Sequence, residues 1–253
     1  MLQAADFEHE LLSAKLIYLS ENSEVRVVVM ENQAYRFLLM GNTIQSVMDK
    51  TDPKRLVFAH QQMMLRSLST LEPGARVLEL GLGGGSAVRH AQLRQLPVHW
   101  TSVEQSSEVI NLYWCYFDPY VIAPEALSIT GEPTRLPDGM SAPTDPASLP
   151  ATFTHTIELA GGREYLSRLS TDTEFELILC DVYDELRADF IRACVQHLAT
   201  HGQLVINWLP HMQPEGAQSA LFFSRMASEL NLHHQAERIE GFANQIHRLR
   251  RRR

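Results

Sequence analysis

Three groups of residues have the types and spacing for chemistry. The first is Asp181-Val182-Tyr183-Asp184, directly after the apolar run Phe175-Glu176-Leu177-Ile178-Leu179-Cys180. Two carboxylates three residues apart at a strand end can flank a cationic amine, and either can orient it or take its proton. The same pattern also suits a capping Asp beside a surface Asp. The second group is Gly81-Leu82-Gly83-Gly84-Gly85, between Arg76–Leu80 and Ser86. Glycines there permit tight turns and let a ligand approach the start of a helix. The third is Glu104, 23 residues after Gly81 and at the end of the next strand-like stretch. A carboxylate in that place can accept hydrogen bonds from the two hydroxyls of a ribose. The glycines are not followed by GKS or GKT, so this is not a Walker triphosphate loop.

These groups need elements to hold them. Residues 15 to 48 hold four short β-rich runs separated by turn signals at Glu31-Asn32-Gln33 and Gly41-Asn42, which predicts a small antiparallel module. A helix is expected from Asp52 as N-cap and Pro53 as first helical residue, ending at Pro73-Gly74. From Arg76 the pattern alternates strand and helix: strands at 76–80, 98–103, 154–159, 175–180 and 203–208, and helices at 86–96, 107–117, 162–169, 188–199 and 215–230. Gly202 sits where the 188–199 helix would end. Two closing strands are expected at 232–238 and 242–249. Alternation of this length implies an α/β fold: a doubly wound, mostly parallel sheet covered on both faces and preceded by the β-module. The expected division is 1–52 for the module and 53–253 for a Rossmann-like nucleoside-binding domain. Ile122 to Thr152 holds six of the twelve prolines without periodicity, and is read as a mobile insertion.

Composition narrows the function classes. With 22 basic against 30 acidic residues, the net charge of −8 argues against a nucleic-acid binder. The arginines Arg248 and Arg250 to Arg253 are read as a solvated, frayed end. Three cysteines without CxxC spacing leave no disulfide framework and no cysteine metal cluster, so no metal is expected. No apolar run approaches the ~18 residues of a membrane helix, and the acidic N-terminus is unlike a signal peptide. The expected home is the cytoplasm. His233-His234 falls in a strand and would send its rings to opposite faces. Cys180 reads as a small apolar filler.

With these residues in place, the chain resembles the spermidine synthase (polyamine aminopropyltransferase) family, as a divergent member with the Rossmann-like fold of the class I methyltransferases. The resemblance runs from about Lys15 to His247, the insertion apart. It is carried by Arg36-Phe37-Leu38-Leu39, Gly41 to Gln45, Asp52-Pro53, Val77 to Ser86, Val103-Glu104, Arg163-Glu164-Tyr165-Leu166, Phe175 to Asp184, and Gly202 to Asn207.

The resemblance implies transfer of an aminopropyl group from decarboxylated S-adenosylmethionine to a small-molecule amine, as in polyamine biosynthesis. The donor would be a co-substrate, with no covalently bound cofactor. Gln45 and Glu104 would contact the nucleoside together with Gly81, Gly83, Gly84, Gly85 and Asp181. Asp181 would take the proton from the attacking amine, and Asp184 would hold the amine chain. Tyr183 would line the pocket, and His60 falls where the family has an amine-handling cluster. Members often pair through the β-module, which implies a homodimer. The departures are specific. The family has an Asp inside the glycine loop that binds the amine of the decarboxylated donor; here that position is Gly84. An expected Gly-Asp pair reads Ala160-Gly161-Gly162, and the loop that closes over the amine is cut to about Glu185-Leu186-Arg187. Gly84 no longer repels ordinary S-adenosylmethionine, which leaves two alternatives open: a methyltransferase on the same fold, and a catalytically lapsed nucleoside-binding or interaction protein.

Overall fold

The computed structural model describes residues 4–20, 25–118, 153–182, 186–209 and 219–252. The expected insertion at 122–152, together with Tyr183, Asp184 and Glu185, lies outside the described residues. In chain order the α-helices are α1 (Ala4–Leu12), α2 (Ala59–Met64), α3 (Ser86–Leu93), α4 (Ser107–Leu112), α5 (Gly162–Arg168), α6 (Ala188–Gln196) and α7 (Ser219–Glu229). The strands are β1 (Lys15–Leu19), β2 (Val27–Glu31), β3 (Tyr35–Met40), β4 (Thr43–Asp49), β5 (Ala75–Leu80), β6 (Val98–Glu104), β7 (Thr154–Leu159), β8 (Phe175–Cys180), β9 (Leu198–Trp208), β10 (Leu232–Arg238) and β11 (Gln245–Arg251). The chain divides into two compact units, one made of 1–58, 83–96 and 107–151, the other of 59–82, 97–106 and 152–253.

The first unit contains an antiparallel sheet in the order β1-β2-β3-β4. Its β-branched and aromatic residues bury Val27, Val29, Phe37, Leu38 and Val47, as a half-buried pleated surface requires. Helix α1 went unread in the sequence; Phe7 anchors it, buried against the Phe58 ring at 5.0 Å between centroids. Helices α3 and α4 belong to this unit, and α4 runs on into a π-helical turn at Tyr113–Phe117.

The second unit holds a seven-stranded sheet in the order β10-β11-β9-β8-β5-β6-β7. The five strands from β9 to β7 run parallel, while β11 and β10 are antiparallel additions. Leu78, Leu80, Ile178, Cys180, Leu204, Ile206 and Trp208 line one face, packed with Leu166 of α5, Phe190 of α6 and Phe223 of α7. Val77, Leu177, Leu179 and Val205 alternate with them and are also buried. Helix α2 and the 3₁₀ turn Leu65–Thr70 cover that second face beside β9 and β11, where Ser67 bonds Gln203 and Arg248. Burial on both faces is why these strands read as continuous apolar runs.

Three expectations fail for local reasons. The helix expected from Pro53 starts at Ala59, because Asp49 Oδ1 accepts from Thr51 N, Thr51 Oγ and Asp52 N and folds 49–55 into turns. Gly202 does not end a helix: α6 stops at Gln196, and β9 runs through Gly202, where a Cβ would lie 2.8 Å from the Phe175 carbonyl oxygen. The arginine cluster is not a frayed tail. Arg248 is buried and bonds Glu237 and the Met63 carbonyl, Arg251 bonds the Leu198 and Val195 carbonyls, and Arg252 bonds that of Leu232.

Candidate active site

In the second unit, the carboxyl ends of adjacent parallel strands gather the candidate residues, as open α/β sheets do. Strand β5 ends at Leu80 and turns at Gly81, whose φ is +94°. A Cβ on Gly81 would lie 2.8 Å from the Asp181 carbonyl oxygen, so only glycine lets the two strand ends approach this closely. Gly81 N–H donates to the Val103 carbonyl and Asp181 N–H to the Leu80 carbonyl, both at 2.9 Å. The backbone thus ties β6, β5 and β8 together where their side chains emerge.

Glu104 closes β6. Its Oε2 accepts from Leu82 N–H at 3.2 Å and its Oε1 from Ser106 N–H at 3.0 Å. The carboxylate therefore holds the glycine turn in shape. Each carboxylate oxygen has a second lone pair, which suits it to a ribose hydroxyl as well.

Asp181 follows β8. Its Oδ1 accepts from Asn207 Nδ2 at 2.8 Å, and Asn207 Oδ1 accepts from Asn244 Nδ2 at 2.9 Å. Asn244 borders an open cleft of about 540 Å³ with Arg238, Glu240 and Phe242. His60, on α2, is half-buried, and desolvation pushes its imidazole below the usual range, while the Asp181 carboxylate opposes that shift. His60 and Asp181 thus belong to one electrostatic neighbourhood.

Glu79 is the residue that sequence reasoning missed. It lies on β5, 5% exposed, and its Oε2 accepts from Trp100 Nε1 at 2.9 Å and Ser102 Oγ at 2.6 Å. Burial pushes its carboxyl up to about 7, the two hydrogen bonds oppose this, and the charges of Asp181 and Glu104 add to it. The signal was a carboxylate in a strand with no solvent face.

The other glycines and Gln45 belong to the first unit. Gln45 is half-buried on β4. Gly83 and Gly85 have φ of +52° and +61°. Gly84 N–H donates to Ser46 Oγ at 2.8 Å, and its carbonyl accepts from Arg89 Nη1 at 2.6 Å. The fully buried Arg89 also bonds the Pro53 and Phe117 carbonyls. A Cβ on Gly84 would lie 2.7 Å from Ser46 Cβ and 3.2 Å from Phe117 Cδ1. This backbone therefore has no room for a side chain at position 84.

Among the described residues no group of three His, Cys, Asp or Glu is placed to hold a metal ion, and no helix is long and apolar enough to cross a membrane.

No protein-family model matches the chain. It is 28% identical over 192 residues to the polyamine aminopropyltransferase of Chromobacterium violaceum (strain ATCC 12472), a match covering 72% of this chain and 61% of that protein. The chain thus spans about three fifths of the length of this relative. Among solved structures it is similar to the spermidine synthase of Thermotoga maritima, with a TM-score of 0.61, 16% identity and coverage of 93% of this chain and 72% of the other. It is also similar to human methyltransferase-like protein 13 in complex with SAH, with a TM-score of 0.53, 15% identity and coverage of 77% and 83%. The seven-stranded sheet is the Rossmann-like fold that these structures have in common. The chain is thus similar in sequence to a polyamine aminopropyltransferase and similar in fold to a spermidine synthase.

Proposed function

We propose that the chain binds an S-adenosylmethionine-type nucleoside and transfers an aminopropyl group from its decarboxylated form to a small amine. The observation that carries this reading is the junction of Gly81, Glu104 and Asp181 at neighbouring strand ends. A ribose on Glu104 directs the sulfonium along the carboxyl edge, toward β8 and its aspartate. The amine nitrogen then attacks the propyl carbon bonded to sulfur. The C–S bond breaks with its electron pair going to sulfur, methylthioadenosine leaves, and the ammonium proton passes to Asp181. The sulfonium is already a good leaving group, so alignment and a proton acceptor supply most of the catalysis. The roles of Gln45, Gly83, Gly84, Gly85, Asp184 and Tyr183 rest on the family resemblance, and that of His60 on the resemblance and on its coupling to Asp181.

A second reading has its own observation. With Gly84 closed by Ser46, the loop lacks the carboxylate that selects the decarboxylated donor, which favours methyl transfer from ordinary S-adenosylmethionine. The test is chromatography of the nucleoside product after incubation with either donor and putrescine or spermidine. Methylthioadenosine supports the first reading and S-adenosylhomocysteine the second.

A further inference from the structure

We infer that Asn207 and Asn244 form a carboxamide relay that orients the Asp181 carboxylate, making both of them positioning residues for proton transfer. This rests on the reading of Asp181 as proton acceptor. The three residues come from three elements: Asp181 follows β8, Asn207 is in β9, and Asn244 immediately precedes β11. An ionised carboxylate only accepts hydrogen bonds, so Asn207 must present its NH₂ to Asp181 and turn its carbonyl oxygen away. That oxygen meets Asn244 Nδ2 at 2.9 Å, so the orientation of one amide dictates that of the next. Asn207 is 0% exposed, and a buried amide bonded on both sides has little freedom to flip. Ile246, two residues after Asn244, pairs with Asn207 across the β11–β9 ladder, which fixes the backbone beneath the relay.

The chemistry explains why amides stand here. A carboxamide is neutral at any working pH. It aligns the carboxylate without competing for the proton, whereas a lysine or arginine would hold the carboxylate ionised and make it a poorer base. The relay also runs from the open cleft bordered by Asn244 to the proposed proton acceptor.

The test begins with side-chain amide NMR of the full chain, which needs no turnover. Asp181→Ala should shift the NH₂ resonances of both Asn207 and Asn244, because the second amide follows the first. If Asp181→Ala leaves the Asn244 resonances in place, the relay is refuted. Kinetics with the nucleoside donor follow. Asn207→Leu, close in volume, should lower kcat roughly ten- to a hundredfold with donor KM unchanged, and Asn244→Ala should do the same more weakly. Asn207→Asp sets a second carboxylate against Asp181, so the pair shares a proton and the acid limb of the pH–rate profile moves to higher pH. A merely structural role would lower the melting temperature without moving that limb, and would overturn the inference. Asp181→Asn separates the two claims. If it leaves turnover intact, the proton-acceptor reading falls and the relay's role falls with it. If it abolishes turnover while Asn207→Leu leaves kcat unchanged, only the relay falls.

Discussion

Glu79 lies within β5 and Asp181 follows β8, its neighbour in the sheet, yet burial gives them different work. Asp181 stands past the end of its strand, bonded to Asn207, and is the group assigned the substrate proton. Asp181→Asn keeps the shape and removes the acceptor, so turnover should fall by roughly 10²–10⁴ with donor binding nearly intact, as single-turnover kinetics and calorimetry would report. Glu79 is wholly enclosed, and its carboxyl sits near 7, above its ordinary value of 4.5. Below pH 4.5 it is protonated in both folded and unfolded chains. As pH rises toward 7 the unfolded chain ionises first, so stability is lost through that window. Glu79→Gln keeps an acceptor for Trp100 and Ser102 and removes the ionisation. Its stability relative to the unchanged chain should therefore rise between pH 4.5 and 7, by on the order of 2–3 kcal/mol, in urea titrations across pH. His247 acts in the opposite direction. Burial first, and the neighbouring His234 second, press its imidazole down to about 3, so its contribution is present above pH 6.5 and lost as pH falls toward 3. The His247 ring stacks on Phe223 at 3.9 Å, and His247→Phe, which keeps a ring there without the titration, should flatten that acid loss.

At the scale of elements, the glycine turn is shaped by its neighbours. Gly84 is clamped between Ser46 of β4 and the buried Arg89 of α3. Gly84→Asp places Cβ against Ser46 Cβ and Phe117, and should cost about 1–3 kcal/mol. Adding Ser46→Gly should recover part of that loss in thermal melts, and recovery to no degree would contradict the packing account. The same clamp shows what was legible in the sequence. The glycine run, the strand before it and Glu104 were readable because spacing and glycine's freedom belong to the chain itself. That Ser46 packs against Gly84 depends on a contact across thirty-eight positions, which no local pattern carries. Strands β7, β8 and β10 were found to the residue, since turn residues bound their apolar or alternating runs. Helix α2 was misplaced because Asp49, three residues before Asp52, captured the backbone donors that a helix start would have used. The arginine-rich end misled because a strand's cross-strand partners cannot be read from charge alone.

At the scale of the whole molecule, the account predicts an assembly and a reaction. The first unit exposes Leu12, Leu16 and Leu19, at 86%, 55% and 43%, and the last two lie on β1, an edge strand of its sheet. An exposed apolar edge invites pairing with a second copy. Light scattering at micromolar concentration should therefore give a dimer mass, reduced to a monomer by Leu16→Glu with Leu19→Glu, and a monomer at all concentrations would contradict the expectation. The second prediction concerns the reaction. The fold is shared by enzymes that move an aminopropyl group and enzymes that move a methyl group, so architecture alone does not choose between them. In the proposed reading, Glu104 and Gly81 hold the nucleoside and Asp181 accepts the proton, as the first reaction needs. The most direct measurement is the nucleoside product formed from decarboxylated S-adenosylmethionine and putrescine, compared with ordinary S-adenosylmethionine. The account predicts methylthioadenosine and an aminopropylated amine above the no-enzyme rate, both lost in Asp181→Asn. S-adenosylhomocysteine as the sole product, or no product while an adenosine ligand still binds, would contradict it.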